Sequence, residues 1–386
     1  AATPEGVYVY DGGSSENVKL FDHEGVYQKA VFPISAKYVN KDMGYLMKEF
    51  PQDKKLMPQK GSSTFNQLLN TGESEDVSWN IKDGSKPESL FVYKDELFLA
   101  EKRLNTINLK NNTFVRNGTF VWQGISLGAM HEYKGGLEKL GPESLAISPD
   151  GKWMYATGYF YSRSWLQGGL NGVLKIKLNS TEPSSVFVGE MKAGRKADDK
   201  NAFDVASCVA VDQKGNVFVG DYGNKRIQVF SAEGKNIKNI AVDFPTYIQI
   251  NPQTQEIYVF SWVVPYVMQG GLENKLAPKL YIIKSLDEPN ITSTYELPIS
   301  KATLDGYGAH VAVDFWSKEL KIWIANSGTT ASWIAASEDA ASIKIYTIKD
   351  KKLEVFKDFQ KETKKISGWA AGIRSMKQRL YFDYKN

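Results

Sequence analysis

The stretch from Ala202 to Ile240, AFDVASCVAVDQKGNVFVGDYGNKRIQVFSAEGKNIKNI, constrains the fold more than any other part of the chain. Three short alternating runs stand out, Val209-Ala-Val211, Val217-Phe-Val219 and Ile227-Gln-Val-Phe230. The turn-forming groups Gln213-Lys-Gly215, Asp221-Tyr-Gly-Asn224 and Ala232-Glu-Gly234 punctuate them, and a weaker run follows at Asn236 to Ile240. Period-two alternation bounded by Gly, Asn and Asp predicts antiparallel strands joined by tight hairpins. Four such strands make one small twisted sheet. A sheet this small cannot bury both faces alone, so others of its kind must pack against it.

The stretch resembles an NHL repeat, the blade unit of a family of β-propellers. The resemblance rests on Ala210-Val211-Asp212, Gly215-Asn216-Val217-Phe218-Val219, Asp221, Asn224-Lys-Arg226-Ile227-Gln228-Val229-Phe230 and Gly234. The same grammar recurs elsewhere in weaker form. Residues 6–32 can be laid on residues 216–240 with one insertion, which makes them strands two, three and four of a blade. A second blade is expected from Pro87 to Trp122, and a third from Pro142 through Trp153-Met-Tyr155 to Val173–Leu178. The fifth uses Tyr247–Ile250, Ile257–Phe260 and Lys279–Ile283, and the sixth His310–Val313, Leu320–Ile324 and Ile343–Tyr346.

One more opening hairpin, Gly372 to Met376 with Leu380 to Asp383, ends the chain. Joining it to the start predicts an all-β fold in a single domain over 1–386. This is a six-bladed β-propeller of four-stranded antiparallel blades, closed by the N- and C-terminal strands so that no sheet edge stays open. Leu380–Asp383 and Val7–Tyr10 both read as second strands, so seven blades or a truncated array is the alternative. Residues 33–86 break the pattern and predict a surface excursion, with a short helix over Ala36–Phe50.

Composition narrows the function. The 12% aromatic content, 32 Gly and 14 Pro suit a turn-rich all-β chain. A net charge of +4 over 386 residues makes no strong case for nucleic acid, which would want a clustered basic face. The single cysteine, Cys208, excludes an internal disulfide and a cysteine-based zinc cluster. No apolar run nears the ~20 residues of a membrane span. The start, Ala-Ala-Thr-Pro-Glu, and four Asn-x-Thr triplets at Asn111, Asn117, Asn179 and Asn290 predict export, to a secreted or periplasmic location.

Blade geometry sorts the candidate residues. Links from strand two to strand three share one face with the links between blades. Three of them are long, Tyr159–Asn171, Trp262–Pro278 and Ser327–Ala341. They carry Tyr159, Tyr161, Trp165, Trp262, Tyr266 and Trp333. Such rings either cover a protein or carbohydrate partner or fold over one another as a roof.

A second candidate is the mouth of the central channel, just before each inner strand. One layer there reads Glu88, Glu143, Ser207, Thr246, Ala309, Ala371, and the next Ser89, Ser144, Cys208, Tyr247, His310, Gly372. Glu88, Glu143, His131 and His310 supply the donor types for calcium or zinc, and Glu88, Glu143 and His310 for acid and base. A wet polar rim is the alternative. The peptide-amidating lyase propeller, which this chain resembles in architecture, holds zinc with three histidines. Here His23 lies on a three-to-four link and is expected far from the other two. Gluconolactonase-type propellers, similar in general architecture, have carboxylate-lined channels. The function expected is an extracytoplasmic binding or scaffold propeller, with a propeller cut from a larger protein as one alternative. The alternative is a metal-dependent lyase or lactone hydrolase.

Overall fold

Turn chemistry decides where the strands stop. The Asp212 carboxylate accepts hydrogen bonds from the backbone N–H of Lys214 (2.9 Å) and Asn216 (2.8 Å) and from the Asn216 amide (2.7 Å). Gly215 closes that turn at φ 86°, a left-handed conformation that glycine adopts without strain. Asp22, Asp150, Asn251 and Asp314 accept backbone N–H groups in turns of their own sheets.

A computed structural model describes residues 1–11, 17–32, 47–49, 56–58, 89–100, 103–110, 113–120, 144–157, 159–162, 165–178, 180, 184–193, 202–262, 276–299, 309–326 and 343–362. The fold class is all-β, of the propeller type, built from small four-stranded antiparallel blades. Contacts divide the chain into two units, Ala1–Gly118 with Lys361–Asn386, and Thr119–Gln360.

The first unit opens with a sheet of β1 (Ala2–Thr3), β2 (Gly6–Asp11), β3 (Asn17–Phe21) and β4 (Tyr27–Phe32), in that order. β1 pairs through Ala2↔Val7 and Thr3↔Gly6. Two residues of the chain's own start therefore lie along the edge to which the sequence assigns a strand from 372–383, and that strand falls outside the described residues. Within the excursion, β5 (Met47–Glu49) pairs with β6 (Leu56–Pro58). The end of the segment expected to be helical is thus strand. A further sheet holds β7 (Ser89–Tyr93), β8 (Glu96–Ala100), β9 (Arg103–Asn108) and β10 (Thr113–Phe120).

The second unit holds four blades in succession. Its first contains β11 (Ser144–Ile147), β12 (Trp153–Thr157), β13 (Tyr159–Ser162), β14 (Trp165–Lys177) and β15 (Ser185–Ala193). Next come β16 (Ala206–Val211), β17 (Val217–Asp221), β18 (Arg226–Phe230) and β19 (Asn236–Ala241). The third blade is β20 (Pro245–Ile250), β21 (Ile257–Ser261), β22 (Lys279–Ile283) and β23 (Ile291–Glu296). The fourth is β24 (Ala309–Asp314), β25 (Lys321–Asn326), β26 (Ile343–Lys349) and β27 (Lys352–Asp358). The innermost strands β11, β16, β20 and β24 pack side by side in chain order.

Burial follows from that stacking. All five residues of β17 and of β21 are buried, because each blade is sandwiched between neighbours. The outermost β19 and β23 are largely solvated. Between the second and third blades Cys208, Ala210, Phe218, Ile248, Ile257 and Val259 form one dry cluster, and burying each larger member contributes roughly 1.5–3 kcal/mol.

Polar bonds fasten the same joints. The Thr157 hydroxyl donates to the Ala206 carbonyl (2.6 Å) and the Ser207 hydroxyl to the Pro245 carbonyl (2.5 Å). The Val313 N–H donates to the Gln249 side-chain oxygen (2.6 Å). At each of the three joints a side chain of the earlier blade bonds the main chain of the later one.

Candidate functional site

The link Tyr159–Asn171, expected as a loop, is a hairpin. β13 pairs with the first part of β14 through Tyr159↔Gly169, Phe160↔Gly168, Tyr161↔Leu166 and Ser162↔Trp165, with a bulge between Phe160 and Tyr161. β14 then continues into the blade against β12 and β15. Tyr159, Tyr161 and Trp165 therefore sit on a two-stranded ribbon that is covalently and by hydrogen bonding an extension of the blade. Tyr266 and Trp333 lie outside the described residues.

Trp262 does not belong to an exposed surface. It is 4% exposed and packs among Tyr222, Phe244, Phe260 and Leu280. Its row explains why: Tyr258, Phe260 and Trp262 alternate along one face of β21 and its continuation, and that face is core.

The channel-mouth residues divide. Ser207 and Thr246, expected at a wet rim, are buried and fully engaged. Ser207 donates to Gly220 and Pro245 carbonyls, and Thr246 donates to the carbonyls of Phe244 and Trp262 and accepts the Trp262 N–H. Ser144 is buried as well and accepts the Val209 N–H (3.0 Å). Ser144 and Ser207 hold neighbouring blades together, Thr246 ties the ends of two strands of its own blade, and none of the three is free to ligate. Burial pushes the Cys208 thiol up to about 12, so it is neutral and inert at physiological pH.

His310 is exposed at the start of β24. His23 sits in the turn between β3 and β4, where it was expected, with Nε2 3.0 Å from the Pro4 carbonyl. Glu88, Glu143 and His131 lie outside the described residues. Among the described residues no three His, Cys, Asp or Glu side chains come together as metal ligands.

Two arrangements were missed in sequence. The first is the network on Asp221. Its wholly buried carboxylate accepts from Arg226 Nε (2.7 Å), Gln228 Nε2 (3.0 Å), Asn224 Nδ2 (3.1 Å) and the Asp204 N–H (2.8 Å). Arg226 and Gln228 also donate to the Ala202 carbonyl. The residues that carry the repeat resemblance thus clamp the incoming segment 202–205 onto its blade. Removing Arg226 would leave this buried carboxylate without its cation, which costs about 3–5 kcal/mol.

The second surrounds Lys175. Its ammonium lies 4.6 Å from the Trp153 ring centroid, 5.5 Å from Phe187 and 5.7 Å from Tyr155, and it donates to the Ala232 carbonyl (3.1 Å). Alternation of Trp153, Tyr155 and Lys175 on paired strands was the available signal. It forms another tie between the first two blades of the unit.

The stacked sheets define a β-propeller. The NHL repeat model matches residues 203–230. Among solved structures the chain is similar to streptogramin B lyase, at 11% identity over 92% of this chain and 80% of that chain, with a TM-score of 0.41. It is similar to the major Malassezia sympodialis allergen Mala s 1 at 14% identity over 70% and 78%, TM-score 0.40. It is similar to Kuenenia stuttgartiensis hydrazine synthase at 12% identity over 70% of this chain, TM-score 0.41, and spans 65% of that chain's length. Among curated proteins there is no match.

Proposed function

We propose that the chain is an extracytoplasmic binding or scaffold propeller of six blades, secreted or periplasmic, that engages a protein or carbohydrate through the aromatic links between second and third strands. The β13–β14 ribbon carries this reading. A ribbon continuous with its blade fixes the main chain at Tyr159, Tyr161 and Trp165, so little backbone entropy is left to lose, which favours recognition. Tyr and Trp combine apolar faces with a polar edge, the chemistry that protein interfaces and sugar rings both accept. Tyr266 and Trp333, on the other two long links of the sequence, belong to the same proposed surface.

The test is binding of the wild-type chain to immobilised glycans and to secreted proteins, repeated with Tyr159→Ala/Trp165→Ala. The variant is expected to keep its thermal midpoint and lose at least about tenfold in affinity, since anchoring aromatics carry a large share of binding energy. Unchanged affinity would sink the reading.

A second reading, a metal-dependent lyase or lactone hydrolase using Glu88, Glu143 and His310, draws support from the exposure of His310 on an innermost strand. Stoichiometric calcium or zinc in purified protein, lost in Glu143→Ala, would favour it.

A further inference from the structure

We propose that the end of the third blade of the second unit, where Trp262 leaves β21, binds a small uncharged molecule that presents a carbonyl or ether oxygen beside an apolar body. Three observations converge on this patch. The Trp262 ring is buried in an aromatic and aliphatic cluster, yet among the described residues its Nε1–H has no hydrogen-bond partner. Buried donors are nearly always paired, and an unpaired one is a standing attraction for an acceptor.

Tyr247, whose ring lies 6.2 Å from that of Phe260, packs against the same cluster, and no described residue bonds its hydroxyl. Desolvation holds that phenol up at about 12, so it stays a proton donor throughout the ordinary pH range.

The third observation is strain. Val205 and Phe244 each stand immediately before an innermost strand, both belong to the cluster, and both take left-handed backbone, at φ 68° and 41°. That region is unfavourable for a branched or bulky side chain, and residues held in it gather at ligand clamps.

The chemistry of the ligand follows from the donors. An indole N–H can only donate, so the partner must accept. Neither polar group is charged, and Lys225, which lies 4.8 Å from the Phe244 centroid, already faces Asp243 at 3.9 Å. An anion would enter without a free counter-charge, whereas a neutral oxygen satisfies the indole and leaves the apolar body against Tyr222, Phe244 and Phe260. The site uses none of the ribbon aromatics, so its success or failure is separate from that of the partner surface.

Titrating protein labelled with 15N at tryptophan with cyclohexanone tests it, cyclohexene serving as the probe of like shape without the oxygen. The indole resonance missing from Trp262→Phe should move saturably with the ketone and not with the alkene. Trp262→Phe and Tyr247→Phe should each weaken ketone binding about tenfold, the effect of one lost hydrogen bond. A Trp262 resonance that stays still, or moves equally with cyclohexene, overturns the proposal. So does unchanged affinity in both variants. If Trp262→Phe does not fold, nuclear Overhauser contacts to Phe244 assign the resonance, and unchanged affinity in Tyr247→Phe alone is then decisive.

Discussion

Cys208 shows how one buried side chain sets a condition on the whole blade. Its sulfur lies against Gly220, where a Cβ would come within 2.5 Å of Sγ and 2.7 Å of the Ser207 hydroxyl oxygen, so only glycine lets β16 and β17 approach. Burial raises the thiol from 9.0 to about 12, and raises Tyr155 and Tyr247 from 10.0 to about 12. The unfolded chain loses these protons first as pH rises. The stabilisation is therefore complete below pH 9 and falls between the unfolded and folded values, by about 1.4 kcal/mol per pH unit for each fully buried group. Urea midpoints should be level between about pH 8 and 9 and then decline, with a shallower decline in Cys208→Ala. A midpoint unchanged up to about pH 10.5 would contradict this burial.

At the scale of elements, the outer strands carry an unusual combination. Tyr27, Val186, Ile237, Ile291, Val355 and Phe356 are exposed apolar residues on β4, β15, β19, β23 and β27. A flat outer strand of that kind would invite pairing with another chain. Every third-to-fourth pairing with a described register is interrupted by a bulge: β3–β4, β14–β15, β18–β19, β22–β23 and β26–β27. In β27 the register passes from Ile345↔Lys357 to Tyr346↔Val355, so Phe356 is the extra residue. Deleting Phe356 should straighten the edge and produce concentration-dependent association by light scattering, while Phe356→Ala, which keeps the bulge, should remain dispersed.

Legibility varied with the kind of signal at this scale. The strands of 206–241 were readable because Asp212, Gly215 and Gly234 mark their turns by chemistry that acts within a few residues. The ribbon at 159–170 was read as part of a long link, although the sequence held a clue to its pairing. The aromatic run Tyr159-Phe-Tyr161 and the pair Trp165-Leu166 flank the short polar step Ser162-Arg-Ser164, which is a hairpin spacing. Trp262 was assigned to a link because the apolar run was cut at Phe260, although every second residue from Tyr258 continued the buried face. The bonds of Thr157 and Ser207 join residues far apart in the chain, so no local pattern announces them.

For the molecule as a whole, solvent reaches the sheets from their outer strands inward. Within the second unit β17 and β21 are buried at every position, whereas β19, β23 and β27 are mostly open. Hydrogen exchange should accordingly be slowest in β17 and β21. It should be at least about tenfold faster in β19, β23 and β27, because outer strands can detach without separating blades. Uniform protection across the four strands of a blade would show instead that each blade opens only as one body.

The side-chain-to-main-chain fastening of successive blades has a bearing on descent. Thr157, Ser207 and Gln249 each grip a peptide group of the following blade, and every amino acid provides a peptide carbonyl. A following blade can therefore change its residues across generations without letting go of the one before it. One repeat in such a chain can keep an ancestral spelling while its neighbours wander far from it and stay in the same array.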